Sequence, residues 1–453
     1  MSVSFQSTLP LAIAVVVIAS CRRPPAAERQ LGLIAVPVPV KLESMDRSVR
    51  AQYSERRSAL SQLLSGQPIK STKLGEAYGD LGMWYHTYDL LDGARWCYLN
   101  AEKLCPNDFR WPYYLGRVER PSGRPFRARE FFRRALRLRP DYLPTLVQLA
   151  ELELELGRPQ EAEPLWQQAL QQDSRCVGAW IGLGRIALLR RDYSSAVAAL
   201  EKALSYQPQV QSAHYMMGLA LRGLGDLAAA ESHLARVLSR GVRRTEVALN
   251  DPLIQQLRLM NTSSRALNRR GLAQLNSGRY REAIATFRQA ISSNPRQIDI
   301  RFNLALTLNQ AGQKVEALRE LRQILELEPR HAHTHVKLAE LLSGLNRHGQ
   351  ARWHLEQAIK ADPKDKNAYL QLAKLHRRRG SCDSALPYFA RVIELDPAAT
   401  EPRYAQVECL IKLGRFEAAG KALQNALELY PEDPAFARLR TRLQGAGLFQ
   451  PRS

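Results

Sequence analysis

Histidines and cysteines are the residues of this chain most able to carry chemistry at close spacing. His331, His333 and His335 stand at the start of a predicted helix, where histidines four residues apart can share a metal ion. No third clustered ligand appears in any metal-binding motif of the sequence. We therefore expect no metal site and no cofactor.

The cysteines do not form a recognisable framework. Apart from Cys21, the chain has Cys97, Cys105, Cys176, Cys382 and Cys409, with no C-x-x-C spacing. Cys97 and Cys105 are the closest pair, yet eight residues of helix separate their Cα atoms by about 12 Å, beyond the reach of a disulfide. Neither a disulfide scaffold nor a zinc site is predicted.

Catalytic motifs are absent from the sequence. It contains no H-E-x-x-H, G-x-S-x-G, C-x-x-C-H or P-loop pattern, and His376 near Cys382 is a chance neighbour pair. The repeats described below leave no stretch of about 100 residues for a catalytic domain. The chain is therefore not expected to be an enzyme.

Cys21 follows an apolar run at Leu9 to Ala19, which is too short to span a bilayer but is typical of a signal-peptide core. The tetrad Ile18-Ala19-Ser20-Cys21 resembles the bacterial lipobox, and this resemblance implies that Cys21 is lipidated. We expect a signal peptide over 1–20 and a Pro-rich spacer over 21–41. The segment before the run has no Lys or Arg, so an uncleaved leader is the alternative.

The net charge of +21 and a pI near 10 point to acidic proteins, nucleic acid or anionic membranes as partners. Ten arginines lie between Arg110 and Arg139 against two glutamates, Glu119 and Glu130. One hypothesis is an anion-facing patch at this point. The alternative is a set of solvated arginines whose stems lie along apolar surface.

Alanine recurs at a fixed spacing through most of the chain. This spacing indicates a repeated structural unit that positions the residues described above. A step of 34 residues, with one longer step of 53 in the middle, gives Ala94, Ala128, Ala162, Ala196, Ala230, Ala283, Ala317, Ala351, Ala385 and Ala419. Four residues after each alanine stands a large apolar residue, and twelve residues after it a proline recurs, with Ser174 and Val242 as exceptions. Alanine allows two helices to pack closely, and proline ends the second helix of each repeat.

With signatures such as Trp180, Leu183 and Gly184 in the first helix, this 34-residue pattern resembles the tetratricopeptide repeat. The resemblance implies an all-α solenoid of about ten helix-turn-helix repeats, in two arrays of five. We number the repeats 1–10 and their positions 1–34, with the recurring alanine at position 20. Proline at 112, 121 and 125 predicts a short first helix in repeat 2.

The predicted organisation divides the chain at the arrays. A capping helix is expected over 42–74, the first array over 75–241, an insert with a short helix from Pro252 to Met260 over 242–263, the second array over 264–431, and a capping helix with a tail over 432–453. The insert interrupts the stack, and we expect it to offset or hinge the two arrays.

In this family the first helices line an inner groove through positions 2, 5, 9 and 12. The resemblance therefore implies partner-binding roles for Arg110, Tyr113, Arg117, Arg120, Arg185, Tyr215 and Arg222 in the first array. Asn303 and Lys337 match an incomplete form of the carboxylate clamp of chaperone-binding relatives, in which Asn268 and Leu272 replace the expected Lys and Asn. A basic and aromatic groove suits an acidic peptide or a C-terminal carboxylate.

The resemblance implies a non-catalytic scaffold that binds proteins or peptides and is anchored by lipid in the bacterial envelope, on the outer-membrane or periplasmic side. A periplasmic or secreted protein is the alternative location. The alternative functions are a nucleic-acid-binding repeat protein, disfavoured because most aromatics occupy packing positions, and a non-catalytic subunit of an envelope enzyme or export complex.

Overall fold

The computed structural model describes residues 26–66, 70–238 and 249–445. These residues form 24 α-helices and one short 3₁₀ turn at Leu42–Ser44, with no strand. Contacts divide the chain into two compact bodies, residues 1–262 and residues 263–453. The predicted all-α repeat fold is confirmed. The predicted signal peptide and Cys21 lie outside the described residues.

The first body consists of two flanking helices, five helix pairs and one further helix. Their bounds are α1 Ala26–Gln30, α2 Arg47–Ser65, α3 Ser71–Thr87, α4 Leu91–Leu104, α5 Arg110–Glu119, α6 Pro125–Leu138, α7 Leu143–Glu155, α8 Pro159–Gln172, α9 Val177–Leu189, α10 Tyr193–Tyr206, α11 Gln211–Leu224, α12 Leu227–Leu238 and α13 Pro252–Met260.

The second body consists of five helix pairs and one terminal helix. Their bounds are α14 Ser264–Asn276, α15 Tyr280–Ser293, α16 Ile298–Gln310, α17 Lys314–Leu327, α18 Ala332–Gly344, α19 His348–Ala361, α20 Lys366–Arg378, α21 Cys382–Leu395, α22 Thr400–Lys412, α23 Phe416–Leu429 and α24 Pro434–Gly445. Phe436, Leu439 and Leu443 of α24 are buried against the last repeat, so α24 closes its apolar end.

The turn between the two helices of a repeat is the same in all ten repeats. Position 15 has a left-handed backbone in each, with φ between 58° and 86°. Seven of these residues are glycine, which adopts this conformation at no steric cost, and the others are Asp89, Arg191 and Asn346. This turn brings the second helix back against the first.

The recurring alanine and large apolar residues form the core. Nine of the ten alanines have no exposed surface, and Ala230 has 3%. The ring of Phe132 packs against the bare Cα of Gly116, and Phe287 packs likewise against Gly271. Helix α5 has 10 residues where most first helices have 13, as the three prolines around it predict.

The segment 26–41, which we call the N-terminal strap, was predicted to be a free spacer, and for these residues the prediction is wrong. Leu33 and Val36 are buried. The side chain of Asn100 accepts a hydrogen bond from Ile34 N at 2.8 Å and donates one to Ile34 O at 2.7 Å. The hydroxyl of Tyr78 donates to Glu28 at 2.7 Å. Apolar burial and these bonds fix the strap to repeat 1.

Among the described residues, no helix combines the length and the apolar character needed to cross a bilayer.

Candidate protein-interaction surfaces

Two of the three arginines predicted to line the groove of repeat 2, Arg110 and Arg120, already have carboxylate partners. Arg110 contacts Asp108 at 2.6 Å and Glu76 at 2.5 Å, and its guanidinium lies 4.6 Å from the ring centroid of Trp111. Hydrogen bonding to Asp108 raises the pKa of Arg110. Arg120 pairs with Glu155 and, at 3.3 Å, with Glu151. The charge of these two arginines is therefore balanced within the first array.

Tyr113 is fully buried rather than open to a partner. Its hydroxyl donates to the carboxylate of Asp251, which lies 138 residues further along the chain. Tyr142 donates to the same carboxylate at 3.0 Å. The prediction that Tyr113 faces an empty groove is therefore wrong, because the insert between the arrays already covers it.

The covering element is α13, which follows Asp251 directly. Leu257 is buried, and Leu253, Ile254 and Met260 pack against the core of repeats 1 and 2. Tyr114 of α5 donates to the carbonyl of Leu253 at 3.2 Å. The short helix predicted from Pro252 to Met260 corresponds to α13, which is docked on the first body. The expected offset or hinge between the arrays stays a prediction.

The other predicted groove residues of the first array differ in exposure. Arg117 is half-buried and lies near His86, whose pKa is lowered to about 4 by burial and by this positive charge. Arg185 and Arg222 are exposed, and Tyr215 has 51% of its surface in solvent. These three residues remain accessible on repeats 4 and 5.

Most arginines of repeat 2 match neither of the two interpretations given for them, because they form ion pairs within the first body. Seven of the ten between Arg110 and Arg139 have a carboxylate within 4.0 Å: Arg110, Arg120, Arg124, Arg129, Arg133, Arg134 and Arg139. Glu153, which has no exposed side-chain surface, receives Arg133 at 2.9 Å and Arg129 at 3.6 Å. These arginines chiefly neutralise the array's own acids.

Two adjoining clefts lie in the second array between the first helices of successive repeats. The cleft between α16 and α18 encloses about 380 Å³, and the cleft between α18 and α20 about 280 Å³. Glu340 lines both. The other polar lining residues are Asn309, Gln310, Lys314, Lys337, Ser343, Gln371, Lys374 and Arg378.

The two predicted clamp residues of the second array have polar partners. Asn303 donates to the side chain of Asn268 at 3.0 Å, and Lys337 pairs with Glu340 at 2.8 Å. Lys374 pairs with Glu401 at 2.7 Å and Arg377 with Glu408 at 3.0 Å. This face therefore carries ion pairs that remain partly accessible to solvent, since Lys337 and Glu340 expose 39% and 32% of their side chains.

The side chains of His331 and His335 contact different groups. His331 accepts a hydrogen bond from Thr334 N and caps α18, whereas both ring nitrogens of His335 contact other groups. No group of three or more potential metal ligands occurs in the described part of the chain.

Comparisons with known proteins agree on the repeat. Two families described as "Tetratricopeptide repeat" match residues 274–333 and 376–443, and residues 147–208, 190–244 and 336–400. Human tetratricopeptide repeat protein 7B is 26% identical over 194 residues, which are 40% of this chain and 23% of that protein. The match thus spans about a quarter of the length of the human protein.

Two solved structures match parts of the chain at low identity and low TM-score. MamA residues 41 to the end, from Desulfovibrio magneticus RS-1, match 39% of this chain and 99% of their own at 16% identity and a TM-score of 0.35. Yeast Tom70 matches 83% of this chain and 96% of its own at 14% identity and a TM-score of 0.36. Tetratricopeptide repeats form scaffolds for protein–protein interaction. By its repeats, its turns and these family matches, the chain belongs to the tetratricopeptide-repeat proteins.

Proposed function

We propose that this chain is an envelope-anchored scaffold that holds partner proteins on the inner face of its second array. The observation that carries the proposal is the pair of adjoining clefts that share Glu340. Two neighbouring clefts that share a lining residue suit two side chains of one bound peptide, spaced a few residues apart.

The side chains of the clefts define the chemistry of the partner. Lys337 and Lys374 pair with Glu340 and Glu401, whereas Lys314 and Arg378 have no carboxylate within 4.0 Å in the described part of the chain. The clefts therefore keep a net positive charge, which favours an acidic peptide. The amides of Asn309, Gln310 and Gln371 can donate to and accept from a peptide backbone. The ion pair between Lys337 and Glu340 would open as a carboxylate of the partner replaces Glu340.

Charge reversal tests the surface. The variant Lys337→Glu/Lys374→Glu is expected to lose partner proteins in affinity capture from bacterial membranes, since two attractive contacts become repulsive. Lys364→Glu, at an exposed turn of the same body, is the matched control and is expected to retain them. Equal capture by all three proteins would place the partner elsewhere and refute the second array as the binding surface.

The envelope location rests on Cys21 and is tested separately. Replacing Cys21 with Ala removes the acceptor of the lipid, so we expect the protein to move from the membrane to the soluble fraction. Unchanged fractionation, together with no incorporation of labelled palmitate into the wild-type protein, would remove the anchor from the proposal. Partner capture by the soluble variant is expected to persist.

Nucleic-acid binding is the second candidate, and the charge of +21 favours it. The internal carboxylate partners of the repeat 2 arginines count against it, since paired arginines attract phosphate less strongly. Filter binding of RNA and DNA at physiological salt distinguishes the two, and the scaffold proposal expects no retention of either.

A further inference from the structure

We propose that the face of repeats 1 and 2 that holds α13 is a receptor for short amphipathic helices that begin with an aspartate, and that a partner helix of this pattern competes with α13. This inference extends the proposed scaffold function, because it gives the first array a ligand class of its own. It rests on the contacts at the two ends and along one side of α13.

The N-terminal end of α13 is recognised through one carboxylate. Asp251 is 6% exposed. It accepts hydrogen bonds from the hydroxyls of Tyr113 and Tyr142 and, at 3.2 Å, from the backbone N–H of Ile254, so it also caps the helix. Burial, and then the Asp251 charge, raise the pKa of Tyr142. This phenol therefore remains protonated and able to donate at neutral pH.

The C-terminal end is recognised through its backbone. Thr87 donates to the carbonyl of Leu257 at 3.3 Å, Gln52 to that of Met260 at 3.2 Å, and Ser48 to that of Thr262 at 3.0 Å. The last carbonyls of a helix have no partner within the helix. Thr262 lies two residues past the end of α13, so these contacts select the length of the helix and of the short segment after it rather than its sequence.

One side of α13 supplies the apolar contacts. Leu253, Ile254, Leu257 and Met260 lie two, three, six and nine residues after Asp251 and pack against repeats 1 and 2, whereas the side chain of Leu259 is 67% exposed. This spacing is the stripe of an amphipathic helix. The ligand class is therefore an aspartate followed by a helix of about nine residues with apolar side chains at +2, +3, +6 and +9.

Attachment to the chain gives α13 an advantage over a free helix. A tethered ligand acts at an effective concentration on the order of 1 mM. A separate helix with the same contacts and a micromolar Kd would thus bind the intact protein about 100 to 1,000 times more weakly. A partner helix displaces α13 when the partner makes additional contacts, for example by binding the second array as well.

The experiment uses the full chain and a fluorescent peptide of residues 249–262. Leu257→Glu places a charge on the buried side of α13 and is expected to release it, so that peptide binding followed by anisotropy becomes at least about 100-fold tighter than to the wild type. Leu259→Glu changes the exposed leucine of the same helix and is the matched control, expected to bind as weakly as the wild type. A peptide with Asp251→Ala is expected to bind the opened protein about 10-fold more weakly.

Two further variants complete the test, and the second of them, Asp251→Ala, guards against misfolding of Leu257→Glu. Tyr113→Phe/Tyr142→Phe, added to Leu257→Glu, keeps both rings in the core and removes only the two donors, so a 10-fold or larger loss of peptide affinity is expected. Asp251→Ala in the chain weakens the docking of α13 without a new charge and is expected to increase binding of the unmodified peptide. Circular dichroism reports whether each variant is folded.

Two results would overturn the inference. One is a folded Leu257→Glu protein and a folded Asp251→Ala protein that both bind the peptide no better than the wild type. The other is equal binding of the wild-type peptide and its Asp251→Ala version. Either outcome is distinct from failure of the proposed function, because the effect of Lys337→Glu/Lys374→Glu on partner capture is measured independently of α13.

Discussion

In repeat 8, Nδ1 of His335 lies 2.9 Å from Nδ1 of His354, and Nε2 of His335 lies 3.0 Å from the carbonyl oxygen of Pro329. Because a carbonyl only accepts, Nε2 of His335 carries a proton and donates it. The neutral Nδ1 of His335 then accepts from Nδ1 of His354. Repeat 5 has the same arrangement, with His214 and His233 3.0 Å apart and Pro208 as the acceptor.

This geometry predicts a loss of stability in mild acid. Burial, with His335 and Arg322 nearby, lowers the pKa of His354 to about 4, and burial lowers the pKa of His335. An unfolded histidine titrates near 6.5. The unfolded chain therefore binds more protons between these values, and the stability present above pH 6.5 declines as the pH falls towards 4. His86 contributes in the same direction.

Thermal unfolding followed between pH 7.5 and pH 5 checks this prediction. His335→Gln/His354→Gln removes both imidazoles and retains side-chain amides, so we expect a smaller decrease in Tm on acidification than in the wild type. His333→Gln alters an exposed histidine of the same helix and serves as the control. A wild-type Tm that is constant over this range would refute the lowered pKa values of His335 and His354.

Because Gly116 packs closely against Phe132, replacing Gly116 with alanine is expected to create a steric clash. A Cβ at Gly116 would lie 2.5 Å from Cε1 of Phe132, whereas at Gly184 it would lie 2.9 Å from Cγ of Leu200. The second array already accepts Ala305 opposite Leu321 at the equivalent position. We expect Gly116→Ala to lower the free energy of unfolding by about 1–3 kcal/mol and Gly184→Ala by less, because a leucine can change rotamer.

Chemical denaturation of the two glycine variants measures the difference. Gly344→Ala provides a matched control, since no atom lies within 4 Å of its added Cβ, and it should be neutral or slightly stabilising. The interpretation fails if Gly184→Ala is the more damaging of the two substitutions.

Asn100 is expected to hold the N-terminal strap against repeat 1. Its buried amide makes two hydrogen bonds to the backbone of Ile34. Asn100→Ala leaves those backbone groups unpaired, at a cost of about 1–3 kcal/mol. We expect limited proteolysis within 26–41 to become faster. Lys103→Ala, which removes an exposed contact to the carbonyl of Gly32, should change the cleavage rate much less.

Arg133 is predicted to act in stability rather than in partner binding. It borders a cleft of about 720 Å³ with the buried Glu153 at the base. Arg133→Ala leaves Glu153 with Arg129 as its remaining charged neighbour, and we expect a loss of about 1–3 kcal/mol. Arg137→Ala, in an exposed residue that borders the same cleft, should be close to neutral. A greater effect of Arg137→Ala on denaturation would contradict this role.

The repeat pattern predicted the fold because local sequence determines each helix pair. Position 20 requires a small residue, position 32 ends a helix, and both signals recur at fixed spacing. One further local rule was missed. A side-chain N–H at position 4 donates to a carbonyl six residues earlier in Trp180, His214, Arg301, His335 and Arg403. Tryptophan, histidine and arginine have little in common except a side-chain N–H. The shared role of position 4 therefore cannot be recognised from the residue types in the sequence.

The candidate sites were less predictable because distant parts of the chain determine them. Tyr113 was placed on the inner face from its position in the repeat, yet its partner Asp251 lies 138 residues away. The prolines of 21–41 suggested a spacer, and the contact of Ile34 with Asn100 spans 66 residues. The dipeptide Asp251-Pro252 is a recognisable signal for the start of a helix. The sequence around it does not indicate which surface this helix contacts.

The docking of α13 also affects the order in which the first array matures during synthesis. Repeat proteins usually fold progressively because each repeat contacts its neighbours. The bond from Tyr113 to Asp251 spans 138 residues, which a ribosome adds in about 7–28 s. During this interval Tyr113 and Tyr142 have no Asp251 to contact. The growing chain therefore exposes a helix-binding surface before α13 has been synthesised.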